Sequence, residues 1–176
     1  MSVVDFDDFH ETNHRLDLLW QLRELNPAFR CTVFAVPGCG SDEFWASVPR
    51  WIELAVHGWL HPHSRECENW TREQIEEVLE SDVVRRWFVA GWKSPGWQTS
   101  PAIYEVLAER DFWIADQHLA DHLRPSGLRT YLWEDGGNWH GHVQDWGSNG
   151  IAETWEDLTR FVEGRHEFRF ASEAAR

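Results

Sequence analysis

The chain is short of cysteine, of basic residues and of long apolar runs. Its 176 residues include three cysteines, Cys31, Cys39 and Cys67, odd in number and without paired C-x-x-C spacing. That argues against a disulfide framework. Cys31 sits in an apolar run and reads as a reduced, buried residue. Cys39 and Cys67 fall in loop-like segments, where a bridge between them stays open. Lys and Arg total 16 against 30 Asp and Glu, a net charge of -14. Such acidity repels nucleic acid, and no Lys/Arg cluster supplies a phosphate-binding stripe, so no nucleic acid partner is expected. No stretch reaches the roughly eighteen apolar residues of a membrane span, so no membrane partner is expected either. The first residues carry no basic segment and no long apolar core, so a cytoplasmic location is expected, or exit without a conventional signal. Repeats, low-complexity tracts and linkers are also missing, and residues 1–176 read as one domain.

What is present is an apolar fraction of 42%, enough for a sizeable core, and thirteen tryptophans. Tryptophan fills cores, and it also stacks on flat or ring-shaped ligands. Short apolar runs recur along the chain at Ser2–Phe6, Cys31–Val36, Ile52–Val56, Arg86–Trp92, Asp111–Ala115, Arg129–Trp133, Asn138–Val143 and Glu167–Ala171. Runs of this kind, without clean alternation, predict parallel strands covered on both faces. Helical patterns lie between them. Asn13–Leu25 is one; a second opens at the capping sequence Thr71-Arg72-Glu73-Gln74; a third opens at Ser100-Pro101; a fourth covers Ala152–Val162. The alternation predicts an α/β fold, a distorted or incomplete β/α barrel. A full eight-unit barrel takes about 250 residues. An open doubly wound sheet is the structural rival.

In either architecture, loops at the C-terminal ends of strands build the site. Those ends carry Asp7 and Asp8, His57 and His61, Lys93, Asp116, and His140 and His142. The run His57-Gly58-Trp59-Leu60-His61-Pro62-His63 places three imidazoles within seven residues. Two imidazoles and a carboxylate make a zinc site that leaves room for water and substrate. Asp8, His57 and His61 are the preferred set. A spare carboxylate at Asp7 then serves as base. His63 could orient a neighbour, touch substrate or close the turn, and His10 and His14 read as structural or surface residues.

Phe6-Asp7-Asp8 resembles the Phe-Asp-Asp motif of the polysaccharide deacetylases, the NodB-homology group of carbohydrate esterases (family 4). The resemblance implies that Asp7 is the catalytic base and Asp8 a metal ligand. His57-x-x-x-His61-Pro62 resembles the second motif, whose two histidines complete the metal triad. Gly58 stands where that family usually has Ser or Thr. Trp92-Lys93-Ser94-Pro95-Gly96-Trp97 resembles the third motif, with Lys93 in place of the Arg that steadies the base. Lysine keeps the charge and loses the bidentate fork. Asp116 resembles the acidic residue of the fourth motif, which tunes a catalytic histidine; the following Gln117 and His118 depart from its pattern. Trp139-His140-Gly141-His142-Val143 resembles the fifth motif and makes His142 the general acid, with His140 its rival.

The resemblance runs in order from Asp7 to His142 and implies a barrel of the polysaccharide deacetylase type. It implies a metal-dependent hydrolase, with zinc as cofactor, that removes an acetyl group from an N- or O-acetylated sugar. Trp59, Trp97 and Trp139 are candidates for an acetyl pocket or a sugar platform. Two alternatives remain at this point: an amidohydrolase acting on a small amide, and a noncatalytic metal- or glycan-binding domain. The sequence does not set the oligomeric state.

Overall fold

The computed structural model describes residues 1–116, 125–134, 137–144 and 150–176. Among them are seven strands: β1 (Val4–Phe9), β2 (Cys31–Ala35), β3 (Ile52–Val56), β4 (Gly91–Trp92), β5 (Trp113–Ala115), β6 (Arg129–Tyr131) and β7 (Trp139–His142). They form one parallel sheet in the order β6-β5-β4-β3-β2-β1-β7. Each strand from β1 to β6 lies beside its successor, and β7 returns to the free side of β1. That is barrel order, opened between β6 and β7. A doubly wound sheet would instead grow in both directions from a central switch point. The fold is therefore a distorted, incomplete β/α barrel.

The helices follow from local chemistry. They are α1 (Leu16–Leu25), α2 (Asp42–Ser47), α3 (Arg72–Glu80), α4 (Asp82–Trp87), α5 (Pro101–Glu109), α6 (Trp155–Glu163) and α7 (Ala171–Ala174). The predicted capping sequence holds at α3, where Thr71 and Gln74 satisfy each other's backbone N–H groups. Pro101 opens α5 as expected. The first helix begins at Leu16 rather than Asn13, because His10 and Asn13 pair through their backbones and Arg15 adopts a left-handed φ of 42°. Sequence reading misses α2, whose start is marked by Ser41: its Oγ accepts from the Phe44 N–H.

Two expected strands change. The Arg86–Trp92 run is mostly helix α4 and loop, leaving β4 with two residues. Arg86 and Trp87 both bond the Asp42 carboxylate and so tie α4 to α2. The eighth run, 167–171, reduces to one bridge between Phe168 and Ser2, and the chain then turns into α7. The three cysteines are free, so the bridge left open between Cys39 and Cys67 does not form.

Every residue of β2 and β3 is buried, as sheet strands covered on both sides require. Leu19, Leu22, Leu158 and Val162 from α1 and α6 cover one part of the outer face. Ile75, Leu79, Ile103 and Val106 from α3 and α5 cover another. Val3, Phe34, Ala55, Trp113 and Tyr131 form a third cluster. Asp5 and Asp7 share one face of β1 at a period of two, and the polar chemistry follows that face toward the C-terminal rim. No helix among the described residues is long and apolar enough to cross a membrane.

Candidate active site

Asp7 and Asp8 lie where the pairing of β1 with β2 shifts register between Phe6 and Phe9. Asp8 has a left-handed φ of 65°, rare for a residue other than glycine. In a regular strand, neighbouring side chains leave on opposite faces. The irregularity re-aims Asp8 so that both carboxylates reach the same cavity. This is how two adjacent residues serve two different neighbours.

Asp8 faces the histidine pair. Its Oδ1 lies 3.4 Å from His57 Nε2 and 3.1 Å from His61 Nε2. That oxygen is buried and has no hydrogen-bond partner, while Gln144 Nε2 donates to Oδ2. His57 Nδ1 lies 2.9 Å from the Lys93 carbonyl, which only accepts, so the proton sits on Nδ1 and Nε2 offers its lone pair. Burial pushes the Asp8 carboxyl up, but positive charge on the facing side outweighs it and holds the group well below the usual carboxylate range: protons on the Nε2 atoms of His57 and His61 would do this, and a cation in their place acts in the same direction. An orphaned buried oxygen and two imidazole nitrogens, mutually within 4.8 Å, fit a divalent cation.

Asp7 faces the other way. Lys93 Nζ donates to its Oδ1 at 2.7 Å, and both side chains are buried. The same ammonium lies 4.2 Å from the Trp97 ring centroid and 4.9 Å from that of Phe34. Lysine thus does without the guanidinium fork by seating its charge between two aromatic faces. Asp7 Oδ2 faces His140 Nε2 and His142 Nε2, each at 3.9 Å. Burial raises the Asp7 carboxyl, yet Lys93, then His140, His57 and His142, overcome this and leave it below its ordinary value. It is an ionised carboxylate, as a base must be.

The two β7 histidines differ. His140 Nδ1 lies 2.6 Å from Asp5 Oδ1, whose other oxygen accepts the Tyr131 hydroxyl at 2.7 Å. His142 is more open to the cavity, with 32% of its side chain exposed against 13% for His140. Burial draws its pKa down, partly opposed by Asp7 and Asp8. Asp116 is buried after β5, and its Oδ2 accepts the Tyr104 hydroxyl at 2.5 Å. Asp5, which the sequence reading missed, is a carboxylate set directly against a β7 imidazole. Its position two residues before Asp7 on the same strand face was the available signal. Gln144, two residues after His142, was missed for want of the same step.

The shared cavity measures about 710 Å³. Trp97 lines it, whereas the other two tryptophan candidates lie elsewhere. Trp59 lines a separate cavity with Trp70 and Gln74, and Trp139 packs on Phe161 of α6. Trp139 sits one residue out of phase with His140, so it leaves on the outer face of the sheet. His63 accepts the Arg65 N–H and closes a turn at the rim. His14 accepts the Leu16 N–H at the start of α1. His118 lies outside the described residues.

No protein-family model matches the chain, and no curated protein matches it in sequence. Solved structures do. A family 4 acetyl xylan esterase from Clostridium thermocellum, in complex with a cobalt ion, is 17% identical with a TM-score of 0.67, covering 98% of this chain and 89% of that one. A family 4 carbohydrate esterase from Streptomyces lividans, in complex with acetate, is 15% identical with a TM-score of 0.62, covering 99% and 95%. The Xyl-CE4 domain of a multidomain xylanase from the hindgut metagenome of Trinervitermes trinervoides is 16% identical with a TM-score of 0.62, covering 98% and 87%. At these identities the likeness establishes architecture: the chain has the polysaccharide deacetylase fold of the family 4 carbohydrate esterases.

Proposed function

We propose that the protein is a metal-dependent deacetylase that removes an acetyl group from an N- or O-acetylated sugar. The observation that carries the reading is the division of labour between adjacent carboxylates. Asp8 turns an unpartnered oxygen to His57 and His61, while Asp7 is held ionised by Lys93 beside them. A binding site for a metal alone has no use for the second arrangement. Asp8, His57 and His61 are the proposed ligands. A bound divalent ion, zinc by the nature of this ligand set, would polarise the acetyl carbonyl and acidify the attacking water.

The remaining steps belong to the chain. Asp7 takes the proton of the attacking water through Oδ2, with Oδ1 fixed on Lys93. As the acetyl C–N or C–O bond breaks, His142 gives a proton to the departing amine or alcohol. His142 is preferred over His140 because its ring is more open to the cavity, while His140 is tied to Asp5. Asp5 positions His140, and Asp116 is retained as a second carboxylate tuning the β7 histidines. Trp97, on the cavity wall, offers an aromatic face to a sugar ring. The substrate class follows the similar solved proteins, an acetyl xylan esterase and a carbohydrate esterase.

The test is acetate release from a panel of N- and O-acetylated sugars and small amides, with and without added zinc. Turnover on acetylated sugars that needs the ion and is lost in Asp7→Asn supports the reading. Turnover confined to small amides would move the substrate class. No turnover on any member, with metal bound, would leave a binding domain instead.

A further inference from the structure

We propose that Glu66 is a positioning residue for the loop that carries His61, acting through the backbone of residues 59–61. The proposal rests on the reading of His57 and His61 as metal ligands. His57 is held from two sides: its N–H donates to the Ala35 carbonyl at 2.8 Å, and its ring is fixed on the Lys93 carbonyl. His61 has no strand behind it, and its backbone is left-handed, with φ 47°. What holds it is a carboxylate. Glu66 Oε1 accepts the Leu60 N–H at 2.9 Å, and Oε2 accepts the His61 N–H at 3.1 Å. The Trp59 N–H is shared between them at 3.3 and 3.2 Å. Three consecutive N–H groups converging on one anion form a cup that fixes the path of the chain.

Gly58 is the other half of the device. Its φ is 66°, and a Cβ built there would fall 2.1 Å from Glu66 Oε2. A side chain at 58 would have to displace the Glu66 carboxylate from this position. Gly58, where a hydroxyl residue is expected after the first histidine, leaves the space that the carboxylate from eight residues downstream fills. Two further bonds anchor the assembly: the Trp59 carbonyl accepts the Gly38 N–H at 2.9 Å, and the Glu66 N–H donates to the His63 carbonyl at 3.2 Å. Glu66 therefore sets where His61 Nε2 stands relative to Asp8, without touching either side chain.

The experiment uses the full chain as wild type, Glu66→Gln, Glu66→Ala and the control His61→Ala, with circular dichroism reporting the fold. Glutamine keeps the size but cannot accept three N–H groups, so it serves if alanine disturbs folding. In metal-free protein, amides 59–61 are expected to exchange tens of times faster in Glu66→Gln, with amides elsewhere unchanged. Cobalt binding, read by competition with a chromophoric chelator, is expected to weaken about 10–100-fold and to show an altered d–d spectrum. Excess cobalt should restore turnover to Glu66→Gln. Unchanged exchange at 59–61 overturns the proposal, as does faster exchange with cobalt affinity within twofold of wild type. If His61→Ala binds cobalt like wild type, the ligand reading fails by itself. Exchange at 59–61 then decides whether Glu66 holds the loop.

Discussion

Asp7 and Lys93 depend on each other, and their substitutions separate charge from geometry. Both are buried, so removing the ammonium leaves an uncompensated carboxylate, which costs about 3–5 kcal/mol. Lys93→Met should show that loss in denaturant unfolding. It should also raise the Asp7 pKa, since burial then acts without its main opponent. The acid limb of kcat/KM should move to higher pH. Lys93→Arg keeps the charge and should stay closer to wild type in both measurements. Asp7→Asn should cut acetate release by about 10²–10⁴-fold. In the parent protein the folded Asp7 pKa lies below its unfolded value of about 3.9, so its stabilisation is complete above that pH and is lost as pH falls through the folded value. Acid titration of the metal-free protein by circular dichroism should show a loss of stability below about pH 4 that is missing in Asp7→Asn, separate from the loss nearer neutral pH that the lowered His142 pKa brings. Asp116→Asn should move the basic limb of kcat/KM, whereas Asp5→Asn, which frees His140 rather than the proposed donor His142, should lower kcat and leave that limb in place.

At the scale of elements, short strands depend on what their neighbours leave room for. β4 consists of Gly91 and Trp92, and a Cβ at Gly91 would fall 2.2 Å from the Trp113 ring of β5. Gly91→Ala is expected to destabilise by about 1–3 kcal/mol through overpacking, measured by urea unfolding. This element also shows why part of the fold was illegible. The Arg86–Trp92 run has an apolar content that suits a strand, yet its first two residues end a helix and bond Asp42, more than forty residues away. Nothing local carries that contact. The capping sequence at Thr71 and the proline at 101 were legible because caps and first turns are settled within four residues. The strand ends bearing Asp7, His57, Lys93 and His142 were legible for a similar reason, since a β/α unit delivers its C-terminal residues to one rim. The Glu66 carboxylate was not, because its partners are backbone N–H groups that no pattern of side chains announces.

For the whole molecule, the seam between β6 and β7 leaves an open barrel whose rim gathers the proposed ligands from β1 and the loop after β3, and their proposed partners from β4 and β7. Loading that site should stabilise the entire fold. At metal 100-fold above its Kd the gain is about 2.7 kcal/mol, a rise in Tm of roughly 5–10 °C that a chelator should reverse in calorimetry. A second group of carboxylates and imidazole, Asp5, Asp7 and His140, lies within reach of the first. Lys93 Nζ already stands among them, 2.7 Å from Asp7, 3.9 Å from Asp5 and 3.4 Å from His140 Nε2, which reserves that place for an internal cation. The central claim is that Asp8, His57 and His61 hold the metal while Asp7 stays free to act as base. Anomalous diffraction at the zinc edge from crystals grown with zinc tests it most directly. One strong peak is expected about 2.0–2.2 Å from Asp8 Oδ1, His57 Nε2 and His61 Nε2, with Asp7 still on Lys93. A peak among Asp5, Asp7 and His140, or none at the rim, would contradict it.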